Sequence, residues 1–402
     1  MKRSNLDALI MEQENLSTLT RADIEAVQLK KLNRLLRLEK EREGFYKYLP
    51  ERLSSLAELS TLPFTTDEDL AHNAPGLLLT SQSEIRRVLS DATSGTTGTA
   101  KRVFYTEGDC ENTVRLFMAG LSELVFPGSA TMICMPFSGP YGLGDLIAGA
   151  IERLGARPLK LGCLLSYGKF AEVMGREQPD TFIGMPVQLL SILRVCGKGS
   201  LKRALVSGDA CPDAVLRCCE AILGTKLFPH YGSREMGLGG AVTCPAHEGM
   251  HLRENHVIAE IIDGDGRVLP RGEYGELVIT TIGMEAMPLI RYRTGDYTRI
   301  LAEPCPCGSE LIRLDSLRRI GSAAEIAALD EVLYALEGLV DYKARRENGY
   351  MEITALACGA IAEQSVIDAA ERLYPDTQIN VTLSQVKPTD KTLYLGKRRI
   401  EK

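Results

Sequence analysis

The sequence predicts an α/β fold: a large N-terminal α/β domain with a β-rich subdomain, followed by a small α+β C-terminal domain. Three observations carry this. From TMICMPFSG to LKRALVSGDA, apolar strand-like runs alternate with helical segments, which argues for largely parallel strands. From about Leu252, short strands follow one another across DGDG and RG turns. After about Asp315, helices and strands mix again on a smaller scale. The expected boundaries are 1–313, with the β-rich part at about 240–313, and 314–402.

The elements follow in order. Residues 1 to about 60 read as charged helices, since LKKLNRLLRLEKEREGFYKYL places leucines at helical spacing. IRRVL and RVFYT are strands on either side of a loop rich in Ser, Thr and Gly. TMICMPFSG is a buried strand, and YGLGDLIAGAIERLG is a helix that stops at Gly155 before another strand. HVIAEIID, DGRVLP, GEYGELVITTI and YTRI read as the short strands of the β-rich part. Helices are expected around 323–337 and 361–374, with strands near 339–345, 350–357 and 378–384.

Composition narrows the function classes. With 402 residues, 45% hydrophobic and 25% charged, the chain is ordinary globular material. A net charge of -6 gives no electrostatic footprint for nucleic acid. No apolar run approaches the roughly 20 residues that cross a bilayer, and the polar N-terminus lacks a signal-like core. Eleven cysteines without secretory features point to a reducing, cytoplasmic setting where thiols stay free or bind metal.

The loop Thr93, Ser94, Gly95, Thr96, Thr97, Gly98, with Lys101 close behind, is the first candidate site. Small residues let several backbone N–H groups converge on phosphate oxygens, and hydroxyls and a lysine add further contacts. The spacing is not that of a P-loop, because Gly95 and Gly98 lie too close together. A plain hairpin turn is the other reading of the same composition.

Two later words sharpen the choice. PHYGSREMG places an aromatic, a glycine and a carboxylate just after an apolar strand, and YRTGD sets an aspartate after a glycine turn. In the order TSGTTG-x-x-K, YGSRE, YRTGD, the chain resembles the adenylate-forming superfamily, and within it the phenylacetate–CoA ligase branch. PYG, SGDA, CPAHEGMHL, PLIRYRTGD and EPCPCG fit that branch in the same order, over roughly residues 60–315.

The resemblance implies a set of roles. Thr93 to Gly98 would form the pyrophosphate loop, with Thr96 a contact to magnesium or phosphate, and Glu235 would help to hold Mg2+. Tyr231 would lie against adenine, with Gly232 and Ser233 in the same turn. Ser207, Gly208 and Asp209 would line the edge of the base, and Asp296 would accept from the ribose hydroxyls. Lys397, in TLYLGKRR, matches the family's catalytic lysine on the C-terminal domain, with Lys391 as second choice. Where the family shows an Arg-x-Asp-Asp word and then an Arg-Gly loop, this chain reads LIRLDSLRRIGSAAEIAAL. Arg313, Arg318 or Arg319 would serve the ribose or phosphate there. The departure bears on the coenzyme A step.

Two further groups stand apart. Cys305 and Cys307 form a Cys-x-Cys knuckle, and Cys244, His247 and His251 lie in CPAHEGMH. Together they can complete a tetrahedral structural Zn2+ site, with His251 preferred and His247 a rival for the fourth position. Tyr141 and Gly142 resemble a segment that lines the family's aryl pocket, with Met185 and Pro186 as another wall and His230 a contact to the carboxylate or else a core-edge histidine. The implied activity is ATP-dependent activation of a carboxylic acid, aromatic by the resemblance, with transfer to coenzyme A. The alternatives are transfer to a carrier protein or an amine, or a catalytically silent nucleotide-binding relative. No nucleic acid or membrane is expected as a partner, and a homodimer is compatible with the sequence.

Overall fold

The computed structural model describes residues 3–91, 101–319, 322–347, 349–393 and 400–401. The chain divides into two compact units, Met1–Glu123 with His230–Ser316, and Leu124–Pro229 with Leu317–Lys402.

The first unit begins with the helices Asn5–Glu14 and Arg21–Glu41. Thr20 starts the second through a capping box with Asp23. Its buried stripe, Ile24, Gln28, Leu32, Leu35, Leu36 and Glu39, has helical spacing but contains two polar residues. Glu39 accepts from Tyr46 N at 3.1 Å, and Gln28 faces a buried polar run in the loop after Met250–Leu252. Gln28 donates to Glu254 O at 3.1 Å, and Arg21 grips the Glu254 carboxylate with two bonds of 2.9 Å. The strands Ile85–Asp91 and Lys101–Thr106 pair antiparallel, ending at Asp91 opposite Lys101. Val257–Ile262, Gly275–Thr281 and Tyr292–Thr298 form an antiparallel set. His230–Tyr231 pairs with Ala241–Thr243, which pairs with Met250–Leu252 and then Arg313–Leu314.

The β-rich expectation needs two corrections. DGRVLP is not a strand and makes only the bridge between Ile262 and Val268. The Asp263 carboxylate accepts from the backbone N–H groups of Asp265 and Arg267, both at 2.9 Å, and so closes a turn where pairing would have to run. The strand expected at YTRI instead begins at Tyr292 and ends at Thr298.

The second unit holds a parallel sheet in the order Arg157–Lys160, Ala130–Cys134, Thr181–Gly184, Arg203–Val206, with Phe228 and Pro229 beside Leu205 and Val206. Helices Leu143–Arg153, Tyr167–Glu177, Pro186–Cys196 and Asp213–Leu223 follow its strands. That is the expected strand and helix alternation. The C-terminal part has the α+β texture read from the sequence. Leu339–Glu347 pairs antiparallel with Tyr350–Ala357, Gln378–Gln385 adds in parallel, and helices Ser322–Leu333 and Glu363–Glu371 accompany them. One apolar core joins Leu190, Leu193, Val215 and Cys219 to Leu329, Leu333, Tyr342 and Ile353. Leu329 is fully buried there. Leu329→Ala should therefore lower the stability of this unit by about 2–5 kcal/mol, read as a reduced urea midpoint without a change in slope.

Candidate active site

Thr65 anchors the site in the first unit. Its N–H donates to Arg291 O at 3.0 Å, and its carbonyl accepts from Arg293 N at 3.0 Å. Its buried hydroxyl donates to Ile290 O at 2.7 Å and lies 2.7 Å from the Tyr46 hydroxyl. Beside it, the Arg291 guanidinium covers the Phe64 ring at 4.1 Å. Thr66 then caps the helix Asp67–Asn73 through a capping box with Asp69. The start of that helix is thereby fixed against the strand Tyr292–Thr298.

The result is a four-membered polar cluster. Asp67 accepts hydrogen bonds from the Tyr292 hydroxyl and, at 2.8 Å, from Lys101 Nζ. Lys101 Nζ also lies 3.5 Å from the Tyr292 hydroxyl and 3.8 Å from Glu235 Oε1. Burial, then the Glu235 and Asp67 carboxylates, push the Tyr292 hydroxyl far above the ordinary phenol range, so it remains a donor. Asp67 was missed by sequence reasoning. TTDEDL reads as a helix start, and its partner Tyr292 is 225 positions away.

Glu235 sits in the short turn Arg234–Met236, which ends at Gly237 in the left-handed conformation, φ 81°. Tyr105 donates to Arg234 O at 2.6 Å and Thr113 to Gly237 O at 2.6 Å, holding both ends of the turn. Ser233 precedes it, and Ser233 O accepts from Leu238 N at 2.8 Å. At Gly232 a Cβ would lie 2.6 Å from Leu238 O and 2.7 Å from Gly239 Cα, so only glycine fits. Tyr231 donates to Asp296 Oδ2 at 2.9 Å. Burial and the Asp296 charge keep that hydroxyl protonated. Asp296 is aimed by a bulge, since Thr294, Gly295 and Asp296 all stand opposite Leu277. His230 stacks on Phe117 at 5.2 Å, and burial lowers its imidazole to about 4, leaving it neutral at pH 7.

In the second unit the expected residues lie at the C-terminal ends of parallel strands, where open α/β sheets bind ligands. Met185 and Pro186 follow Thr181–Gly184, and Ser207, Gly208 and Asp209 follow Arg203–Val206. Gly208 has φ +89°, and a Cβ there would meet Met185 Cγ at 3.6 Å and a Met135 methyl at 3.7 Å. Met185 and Gly208 are therefore neighbours. Tyr141, at φ 67°, and Gly142 precede the helix Leu143–Arg153. Thr93, Ser94, Gly95, Thr96, Thr97, Gly98 and Lys397 lie outside the described residues.

The cysteine group is assembled. The ligand atoms of Cys244, His251, Cys305 and Cys307 lie within 4.8 Å of one another, and all four residues are buried. Cys244 Sγ is 3.7 Å from Cys305 Sγ, and His251 Nε2 is 3.4 Å from Cys307 Sγ. His251 Nδ1 faces Leu311 O at 3.3 Å, which fixes the ring and turns Nε2 inward. His251, not His247, takes the fourth place. His247 sits at φ 55° in the intervening turn, outside the cluster. The Arg313 guanidinium reaches Glu248 O and Glu303 O, each at 2.5 Å. Those bonds bind together the two segments that bear the cysteines.

Comparison with known proteins gives these residues a family setting. Residues 92–286 match the AMP-binding enzyme family. The chain is 31% identical over 328 residues to the phenylacetate–coenzyme A ligase of Thermus thermophilus, covering 76% of this chain and 72% of that protein. It is 35% identical over 269 residues to the phenylacetate–coenzyme A ligase of Aromatoleum evansii, covering 63% of this chain and 59% of that relative. The solved structure of 2-hydroxyisobutyryl-CoA ligase in the postadenylation state, in complex with R3-HIB-AMP, matches with a TM-score of 0.78 at 18% identity. That match covers 96% of this chain and 91% of the other, and shows a shared fold.

Proposed function

We propose, from the premise that this chain belongs to the AMP-binding enzyme family in its phenylacetate–coenzyme A ligase branch, that it is an AMP-forming acid ligase. It joins a carboxylic acid to the α-phosphate of ATP, expels pyrophosphate, and passes the acyl group to coenzyme A. The observation that supports this most is the cluster of Lys101 and Glu235, built together with the Tyr231–Asp296 pair in one compact unit.

Each group has a task in that reaction. The carboxylate and the α-phosphate are both anions, so rate depends on charge placed where they meet. The loop Thr93 to Gly98 donates backbone N–H groups to the leaving pyrophosphate, and Lys101 neutralises it further. Magnesium, held by Glu235 and Thr96, would supply the remaining positive charge on the phosphates. Asp296, oriented by Tyr231, accepts from the ribose, and Ser207, Gly208 and Asp209 border the base. By the resemblance, Tyr141, Gly142, Met185 and Pro186 would line the pocket of an aromatic acid, and neutral His230 would contact the carboxylate. Lys397 brings its charge to the reacting carboxylate, on a C-terminal domain of residues 314–402 that turns between the two half-reactions.

A carrier protein or an amine as acyl acceptor is favoured by one feature. The hinge segment lacks the family's paired aspartates, and Arg313 is committed to Glu248 and Glu303. The test is pyrophosphate release across a panel of carboxylic acids, with and without coenzyme A. No release with any acid, in protein that binds ATP, would leave the silent-relative reading standing. Lys397→Ala should slow acid-dependent release by roughly 10²-fold or more with little change in ATP affinity, because its charge acts in the transition state. Asp296→Ala should instead weaken ATP binding, by about 1.5–3 kcal/mol, in calorimetry.

The same reading includes one structural zinc ion at Cys244, His251, Cys305 and Cys307. Three thiol sulfurs and an oriented imidazole nitrogen, all buried together, are the four donors that a tetrahedral zinc site takes, with no place left for a substrate. Metal analysis should return one zinc per chain. Cys305→Ser/Cys307→Ser should lose it and melt at a lower temperature, whereas a metal-free parent of equal stability would refute the site. None of the eleven cysteines is in a disulfide, which fits a cytoplasmic protein.

A further inference from the structure

We propose that Asp67 is a positioning residue of the nucleotide site: it holds the Lys101 ammonium where a phosphate oxygen would take it, and yields it when nucleotide binds. The inference rests on the nucleotide reading given above. Its ground is geometric. Lys101 Nζ stands between Asp67 Oδ1 at 2.8 Å and Glu235 Oε1 at 3.8 Å, so two carboxylates flank one ammonium.

The three side chains are not equally enclosed. The Lys101 side chain is 16% exposed and that of Glu235 8%, while Asp67 is 61% exposed. The acid that makes the shorter contact is therefore the one facing solvent, from which an anionic ligand would approach. Carboxylate and phosphate oxygens are the same class of acceptor, so they compete for the ammonium. Lys101 follows Gly98 by only three positions, at the foot of the loop assigned to pyrophosphate. Asp67 itself is not a loosely held surface acid. Thr65 is hydrogen-bonded into the Tyr292 strand, Thr66 caps the helix, and the Tyr292 hydroxyl donates to Asp67.

The sign of the effect is fixed by charge. In Asp67→Asn the amide oxygen still accepts from Tyr292, but the ion pair with Lys101 is gone and the ammonium is released to phosphate. Calorimetry should then show ATP binding roughly two- to fivefold tighter than in the parent, the range expected for a partly exposed ion pair. Asp67→Glu, which keeps the charge, should stay close to the parent. The gain should vanish in a Lys101→Ala background, because a contact acting through Lys101 cannot act without it. Weaker or unchanged ATP binding in Asp67→Asn, or the same gain without Lys101, would overturn the proposal. A second readout needs no nucleotide: acetic anhydride should label the Lys101 amine severalfold faster in Asp67→Asn, counted by mass spectrometry. An unchanged labelling rate also overturns it. A parent that binds no ATP refutes the nucleotide reading, while labelling still decides whether Asp67 restrains Lys101.

Discussion

The first unit depends on one buried carboxylate. Glu254 accepts two bonds from Arg21, both 2.9 Å, and a third from Ile312 N at 2.8 Å, so it ties the second helix to the segment that follows the cysteine knuckle. Its neighbours extend the same seam. Arg253 donates to Asn112 O and Gln13 Oε1 at 3.0 Å each, Asn255 donates to Glu14 at 2.7 Å, and the His256 ring bonds the Met236 backbone in the Glu235 turn. Four consecutive buried polar residues thus connect the first helices, the knuckle and the site. Each is costly to bury unless the others are in place, so the seam holds as a set or fails as one.

That seam also marks what the sequence could not disclose. RENH, read along the chain, has the composition of an exposed turn; its burial comes from helices that lie more than two hundred residues earlier. Asp67 is opaque for the same reason, since a capping word says nothing about a tyrosine brought over it by strand pairing. Residues whose chemistry is local were legible. Gly232 and Glu235 belong to one short word whose turn geometry the residues themselves dictate, whereas the bond from Tyr231 to Asp296, across 65 positions, was not read. The parallel strands showed as apolar runs because both of their faces are covered. DGRVLP is no strand because the Asp263 side chain closes a turn over its first residues.

The cysteine group lies between these cases. Its residue types announced a tetrahedral set, but the choice between His247 and His251 needed the strand Met250–Leu252, which places His251 opposite Arg313. The same pairing explains Arg313. A residue in register with the histidine of the cysteine group is drawn to the loops on either side, and its fork geometry suits two backbone oxygens at once. An arginine near the domain boundary therefore has a structural task sufficient to retain it, whatever a hinge also asks of it.

Motion in this fold is constrained by what the C-terminal segment already buries. Leu329, Leu333 and Tyr342 share a dry face with Leu190, Leu193 and Val215. Ser191 and Arg194 fasten that face to the backbone oxygens of Val340 and Tyr334 at 2.7 Å each. Turning residues 314–402 as one body would expose the apolar side chains and leave those oxygens to water. Hydrogen bonds to water offset most of the second loss, but nothing in water offsets the first. A turned state of comparable population must therefore rebuild an apolar contact of similar extent for Leu329, Leu333 and Tyr342. The proposed two-step cycle requires such a second docking face, and the residues forming it must be as apolar as the helix Pro186–Cys196.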